Sequence, residues 1–210
     1  MIYENNVLPK DRIALITNRV RGWSLIAYAF RDLCFFVLFA FNYYYSLSSV
    51  IPFIASDIVF SVLLVIGLSS LQFRPPLKHI GQVGLILMLI RPFILLSFDL
   101  PLLAPGHYRI QSLLSIPRIP IHYLEPVIYF VPYVGYLLVG WLMIKTKALP
   151  KWTGIVLVLS GLFNFATNYS GISQTADSLH KTLLMSATLT EALAFAGYGR
   201  SILNTSNSAE

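Results

Sequence analysis

The chain has 210 residues, 56% hydrophobic and only 11% charged, with a mean hydropathy of +0.70 and a formal net charge of +6. Typical soluble domains carry about 25% charged residues, so an ordinary water-soluble domain is not the expectation. The basic residues lie beside apolar runs instead of clustering on one face, which removes nucleic acid as a partner, and the single cysteine, Cys34, leaves no intrachain disulfide or thiolate metal site.

In chain order, residues 1–22 intersperse Ile13, Leu15, Ile16 and Val20 with Arg12, Arg19 and Arg21. That pattern predicts a short basic amphipathic segment on a membrane surface. No cleavable signal peptide is expected, because the first apolar run begins near Trp23, is interrupted by Arg31-Asp32 and lacks a small-residue cleavage site. Apolar runs at 23–43, 50–71, 80–103, 123–144, 152–172 and 183–203 each approach the roughly 20 residues a bilayer requires. The predicted fold is all-α: a six-span transmembrane helical bundle over 23–203, with a cytoplasmic amphipathic segment over 1–22 and a cytoplasmic tail over 204–210.

Orientation follows from the connectors. Lys10, Arg12, Arg19, Arg21, Arg74, Lys78, Lys145, Lys147, Lys151 and Arg200 place ten basic residues on one side, against Arg109, Arg118 and Lys181, three, on the other. The positive-inside rule makes both termini cytoplasmic, so the sequon at Asn204 is expected to stay unmodified. Tyr43, Tyr44, Tyr45, Trp141 and Trp152 fall near span ends, the depth that interfacial anchors prefer. The long outer connector, 104–122, sets Leu113, Leu114 and Ile116 among Pro105, Pro117 and Pro120. Two readings are open: it lies on the outer interface or dips part-way in, or it is an ordinary surface loop. Within the fifth run, Gly154, Gly161, Asn164, Asn168 and Gly171 follow one helix stripe. Small residues let backbones approach and amides find partners across helices, so the stripe is read as a packing face on which Asn164 also reaches cavity depth.

The candidate site is a layer of ionisable groups. Counted from each cytoplasmic end at 1.5 Å per residue, Arg31 and Asp32 lie at about 12–14 Å, Arg91 at about 16 Å, Glu191 and Asn164 at about 18 Å, and Asp57 at about 20 Å. Ionisable groups at such depth are costly and mark functional sites. Arg91 is the expected hub, since arginine stays charged and holds a carboxylate bidentately. Asp57 and Glu191 are its first expected partners and Asp32 the local alternative, and Pro92 beside it removes a helix hydrogen bond. The opposing reading is a set of interhelical ion pairs that clasp the bundle and bind nothing. Asp99, Glu125, His107 and His122 fall near the outer surface. No metal site or cofactor is expected, because His79, His107, His122 and His180 show no ligand spacing.

The stretch Lys145-Thr-Lys-Ala-Leu-Pro-Lys-Trp-Thr-Gly154, followed by Ser160-Gly161, resembles a hairpin of uncharacterised bacterial multi-pass membrane proteins. About 20 residues carry the resemblance, which implies a bacterial inner-membrane protein and no particular activity. The leading functional expectation is small-solute transport or ligand binding at the charged layer, with Arg91 facing an anion or carboxylate and Asp57 and Glu191 responding to protons or cations. The alternatives are an intramembrane cyclase or isomerase acting on a lipophilic, isoprenoid-like substrate, and an accessory subunit of a membrane complex. The expected partners are the lipid bilayer, a small or lipophilic ligand, and a membrane protein or a second copy of the chain.

Overall fold

A computed structural model describes residues 10–40, 50–71, 77–103, 121–146, 150–172 and 177–207. These form six helices: α1 Lys10–Ala40, α2 Val50–Leu68, α3 Lys78–Leu103, α4 Ile121–Thr146, α5 Lys151–Ile172 and α6 Asp177–Asn207. Among the described residues there is no strand, and the expected all-α class holds. Also among these residues, no helix is long and apolar enough to cross a membrane. Tyr43, Tyr44, Tyr45 and the connector expected over 104–122, through residue 120, lie outside the described residues, as do the side chains of Asp57, Arg91, Asp99, His122 and Glu125.

Several helix limits differ from the apolar runs. Residues 10–22 are the opening turns of α1, continuous with the run that follows. No proline interrupts Lys10–Ala40, and Gly22 costs a helix interior only about 1 kcal/mol. Tertiary contact reaches α1 at the start of that run, since the backbone at Gly22 packs on α6 at Gly199. Likewise α6 begins at Asp177 and continues to Asn207, into the expected tail. Its polar ends carry Thr182, Thr205 and Ser206, whose hydroxyls return to carbonyls of their own helix. Pro150 precedes α5, and both the amide and the hydroxyl of Thr153 donate to the Pro150 carbonyl, which organises its first turn.

Each helix packs on its chain neighbours, and α1 packs on α6, so the six form a ring closed by the first and last elements. The base of the ring is the end where α1 begins and α6 finishes. Glycines set three of its seams. A Cβ on Gly22 would lie 3.0 Å from the Gly199 carbonyl oxygen, and one on Gly199 would lie 2.6 Å from that of Gly22. The same reciprocal approach joins α4 and α5, where Gly140 and Gly154 each stand 2.7 Å, by the same measure, from the other's carbonyl oxygen. Gly135 meets the backbone of Met88 and Gly84 between α3 and α4. The core within the ring comprises Leu25, Tyr28, Leu64, Leu68, Met88, Tyr133, Tyr136, Leu157, Phe195 and Tyr198 among others.

Polar side chains join the buried set, and large apolar ones stand outside it. Asp32, Glu191, Ser61, Thr153, Ser160, Asn164 and Thr167 are buried, whereas Phe30, Trp23 and Ile86 are 65%, 62% and 62% exposed.

Candidate functional site

The site is centred on Glu191, which α6 carries on its buried side and which is 2% exposed. Tyr28 of α1 donates its hydroxyl to Glu191 Oε1 at 3.0 Å, and Tyr136 of α4 donates to the same oxygen at 2.6 Å. Helices α1 and α4 are not ring neighbours, so this carboxyl joins elements across the ring. The shorter bond falls in the range of charge-assisted O–H···O contacts. Phe195, one turn along α6, sets its ring edge-on to Tyr28 at 5.2 Å between centroids and to Tyr136 at 6.2 Å. Tyr133 adds a tilted contact to Tyr136 at 5.8 Å. Two side chains of this aromatic cluster thus supply hydrogen bonds to the carboxyl.

Farther from the base, Arg31 Nη1 donates to Asp32 Oδ1 at 3.0 Å. Both groups are largely withdrawn from solvent, with side chains 11% and 3% exposed. The Arg31 guanidinium sits 4.3 Å from the Phe35 ring centroid and 5.6 Å from that of Tyr28, positions suited to cation–π attraction. Tyr28 thereby touches both charged groups, one through its ring and one through its hydroxyl.

The backbone positions of the expected layer follow from the glycine seams. Met88 faces Gly135, next to Tyr136, and Arg91 lies three residues farther along α3, or about 4.5 Å. Asp32 lies one turn past Tyr28, about 6 Å. Gly161 faces Tyr136 Cβ and the Tyr133 carbonyl, which puts Asn164 about 4.5 Å beyond them. Gly67 of α2 faces Leu25, so Asp57, ten residues earlier, lies about 15 Å above that contact. Glu191 lies eight residues from Gly199 and Arg31 nine from Gly22, so the two fall about 12 Å and 14 Å from that shared contact.

Asn164 donates its amide to the Ser160 carbonyl at 3.0 Å and to Ser160 Oγ at 3.4 Å. These bonds return to its own helix instead of crossing to another as expected, while Gly154 and Gly161 of the same stripe pack against α4. Asp57 and Arg91 lie on α2 and α3, with their side chains outside the described residues.

Reading for charge alone misses Tyr28, Tyr136, Tyr198 and Ser70. Near the base, Ser70 donates to the Gly67 carbonyl at 2.7 Å, which leaves the Tyr198 hydroxyl as the donor in its 2.7 Å contact with Ser70 Oγ. Tyr198→Phe should cost about 1 kcal/mol, since Ser70 keeps its own carbonyl; thermal unfolding of purified protein checks this. The available signal was tyrosine at mid-run, away from the interfacial depth it favours. Among the described residues no group of three or more His, Cys, Asp or Glu side chains could hold a metal.

No protein-family model, curated protein or solved structure matches the chain.

Proposed function

We propose that the chain is a six-span protein of the bacterial inner membrane, with both termini cytoplasmic, that binds protons at Glu191 in the course of small-solute transport. The observation that carries this reading is a buried carboxyl held across the ring by hydroxyls from α1 and α4, inside a bundle whose outer surface is apolar. Water-soluble monomers rarely expose large contiguous apolar surface. Here Phe30, Val83, Ile86, Ile155 and Leu162 all face outward, which suits a covering of lipid. The hydroxyls of Thr182, Ser186, Thr188 and Thr190 bond to α6 carbonyls, satisfying themselves without water. Trp141 and Trp152, both partly exposed at the base, serve as interfacial anchors.

A proton is the solute that a closed site of this kind admits. Both tyrosines donate to Oε1, so a proton taken up on the other oxygen leaves those two bonds in place. In this reading Arg91 holds an anion and Asp57 is a second titrating group. The test is proton flux into proteoliposomes carrying a pH-sensitive dye, with a pH gradient imposed. Wild type should acidify the lumen and Glu191→Gln should reduce the rate at least ten-fold. Equal rates for the two proteins would remove Glu191 from the function.

The aromatic cluster beside this acid also favours the enzyme reading, in which Glu191 protonates a lipophilic substrate and the rings stabilise developing positive charge. Isomerised product from a lipid extract, abolished by Glu191→Gln, would select it over transport.

A further inference from the structure

Two open grooves flank the ridge that Ile16 and Val20 form on α1. One, of about 530 Å³, is lined by Arg19, Trp23, Ser24 and Ala27 of α1 and Leu63 of α2 together with that ridge. The other, of about 440 Å³, runs on the opposite side of the ridge between Thr17 and Arg21 of α1 and Val65, Ile66 and Ser69 of α2. Each has one arginine and no acidic residue in its lining, and the remaining walls are mostly aliphatic or aromatic. The first is also graded along its length, from Arg19 near the base through Trp23 to Ala27 and Leu63. A basic end and an apolar body describe the complement of an anionic amphiphile.

Depth agrees with the charge. The first apolar run begins at Trp23, so Arg21 stands about 3 Å and Arg19 about 6 Å outside it. The headgroup layer on each side of a bilayer is about 5–7 Å thick. Both guanidinium groups therefore belong at the level of lipid phosphates, on the cytoplasmic side, where anionic lipids attract basic residues.

We propose that the paired grooves between α1 and α2 bind anionic phospholipid of the cytoplasmic leaflet, with phosphate at Arg19 and Arg21 and acyl chains along the grooves. This rests on the membrane reading above, and the two are tested apart. Resistance of the protein to alkaline extraction from membranes tests insertion alone. For the lipid site, full-length protein is equilibrated in nanodiscs of equal parts phosphatidylglycerol and phosphatidylcholine, then stripped with mild detergent, and retained lipid is counted by native mass spectrometry. Wild type should retain phosphatidylglycerol in preference to phosphatidylcholine. Arg19→Gln and Arg21→Gln should each weaken that preference about five-fold, the effect of one basic residue at an anionic surface. A Val20→Trp variant, which fills the ridge without changing charge, should also lose retained lipid, whereas Lys145→Gln with Lys151→Gln at the same end of the bundle should not. An inserted protein that retains both lipids equally, or whose preference falls as much with the Lys145 and Lys151 changes, would overturn the site.

Discussion

Glu191→Ala should lower the stability of the bundle by about 3–5 kcal/mol, whereas Glu191→Gln should cost no more than about 1–2 kcal/mol. The difference follows from what the carboxyl does for its neighbours. Alanine removes the oxygen to which the Tyr28 and Tyr136 hydroxyls donate, and a buried donor that loses its acceptor costs about 1–3 kcal/mol. The vacated volume adds a cavity term. Glutamine keeps an acceptor oxygen where Oε1 stands and loses only the charge assistance. Tyr136→Phe should cost more than Tyr28→Phe because its bond is the shorter, at 2.6 Å against 3.0 Å. Combining Glu191→Leu with both Tyr→Phe changes should recover part of the loss, since apolar groups then replace the carboxyl and the two hydroxyls that donate to it. Thermal unfolding in a single detergent orders all of these variants. Equal midpoints for Glu191→Ala and Glu191→Gln would show that the hydroxyls do not depend on the carboxyl.

A methyl group at the α4–α5 seam should have the second large effect. Gly140→Ala and Gly154→Ala should each destabilise by about 1–3 kcal/mol, the usual cost of overpacking a filled interior. At both positions the new carbon would sit 2.7 Å from a backbone carbonyl oxygen of the facing helix. No rotamer relieves that contact, so the helices must separate. Separation costs more than the local clash, because Gly161 seats against Tyr136 along the same seam and the Tyr136 hydroxyl must stay within reach of Glu191. The double variant should cost less than the sum of the two, as either methyl opens the same gap. Leu162→Ala, on the outward side of α5 and 51% exposed, is the control and should shift stability by no more than about 0.5 kcal/mol. Unfolding midpoints for the four proteins decide the matter, and a fully additive double variant would mean that the two glycines serve separate contacts.

The six helices were legible because each apolar run is long and most are bounded by polar or proline-bearing connectors, such as Pro75-Pro76 and Pro150. Their ends were less so. Hydropathy marks where a helix is apolar, while helix length also depends on what its polar turns touch, as at Gly22 on Gly199. The packing face of α5 could be read from the spacing of Gly154, Gly161 and Asn164 because helix geometry alone puts them in one stripe. The surroundings of Glu191 could not. Depth along a span says nothing of which way a side chain turns, and two charges at one depth can face different neighbours. Tyrosine obscured the site further, since it reads as an interfacial anchor until a hydroxyl at mid-helix is seen to need an acceptor.

The ring has a consequence for biogenesis. Helix α1 is made first, yet one of its two neighbours, α6, is made last. Tyr28 and Tyr136 therefore emerge from the ribosome well before the carboxyl that accepts from both. Until residues 177–207 arrive, the assembly is an open arc with a missing stave. Every nascent chain passes through that stage, and a chaperone or protease that recognises unpaired helices has its opportunity there. A premature stop anywhere before Glu191 would hold the protein in that arc.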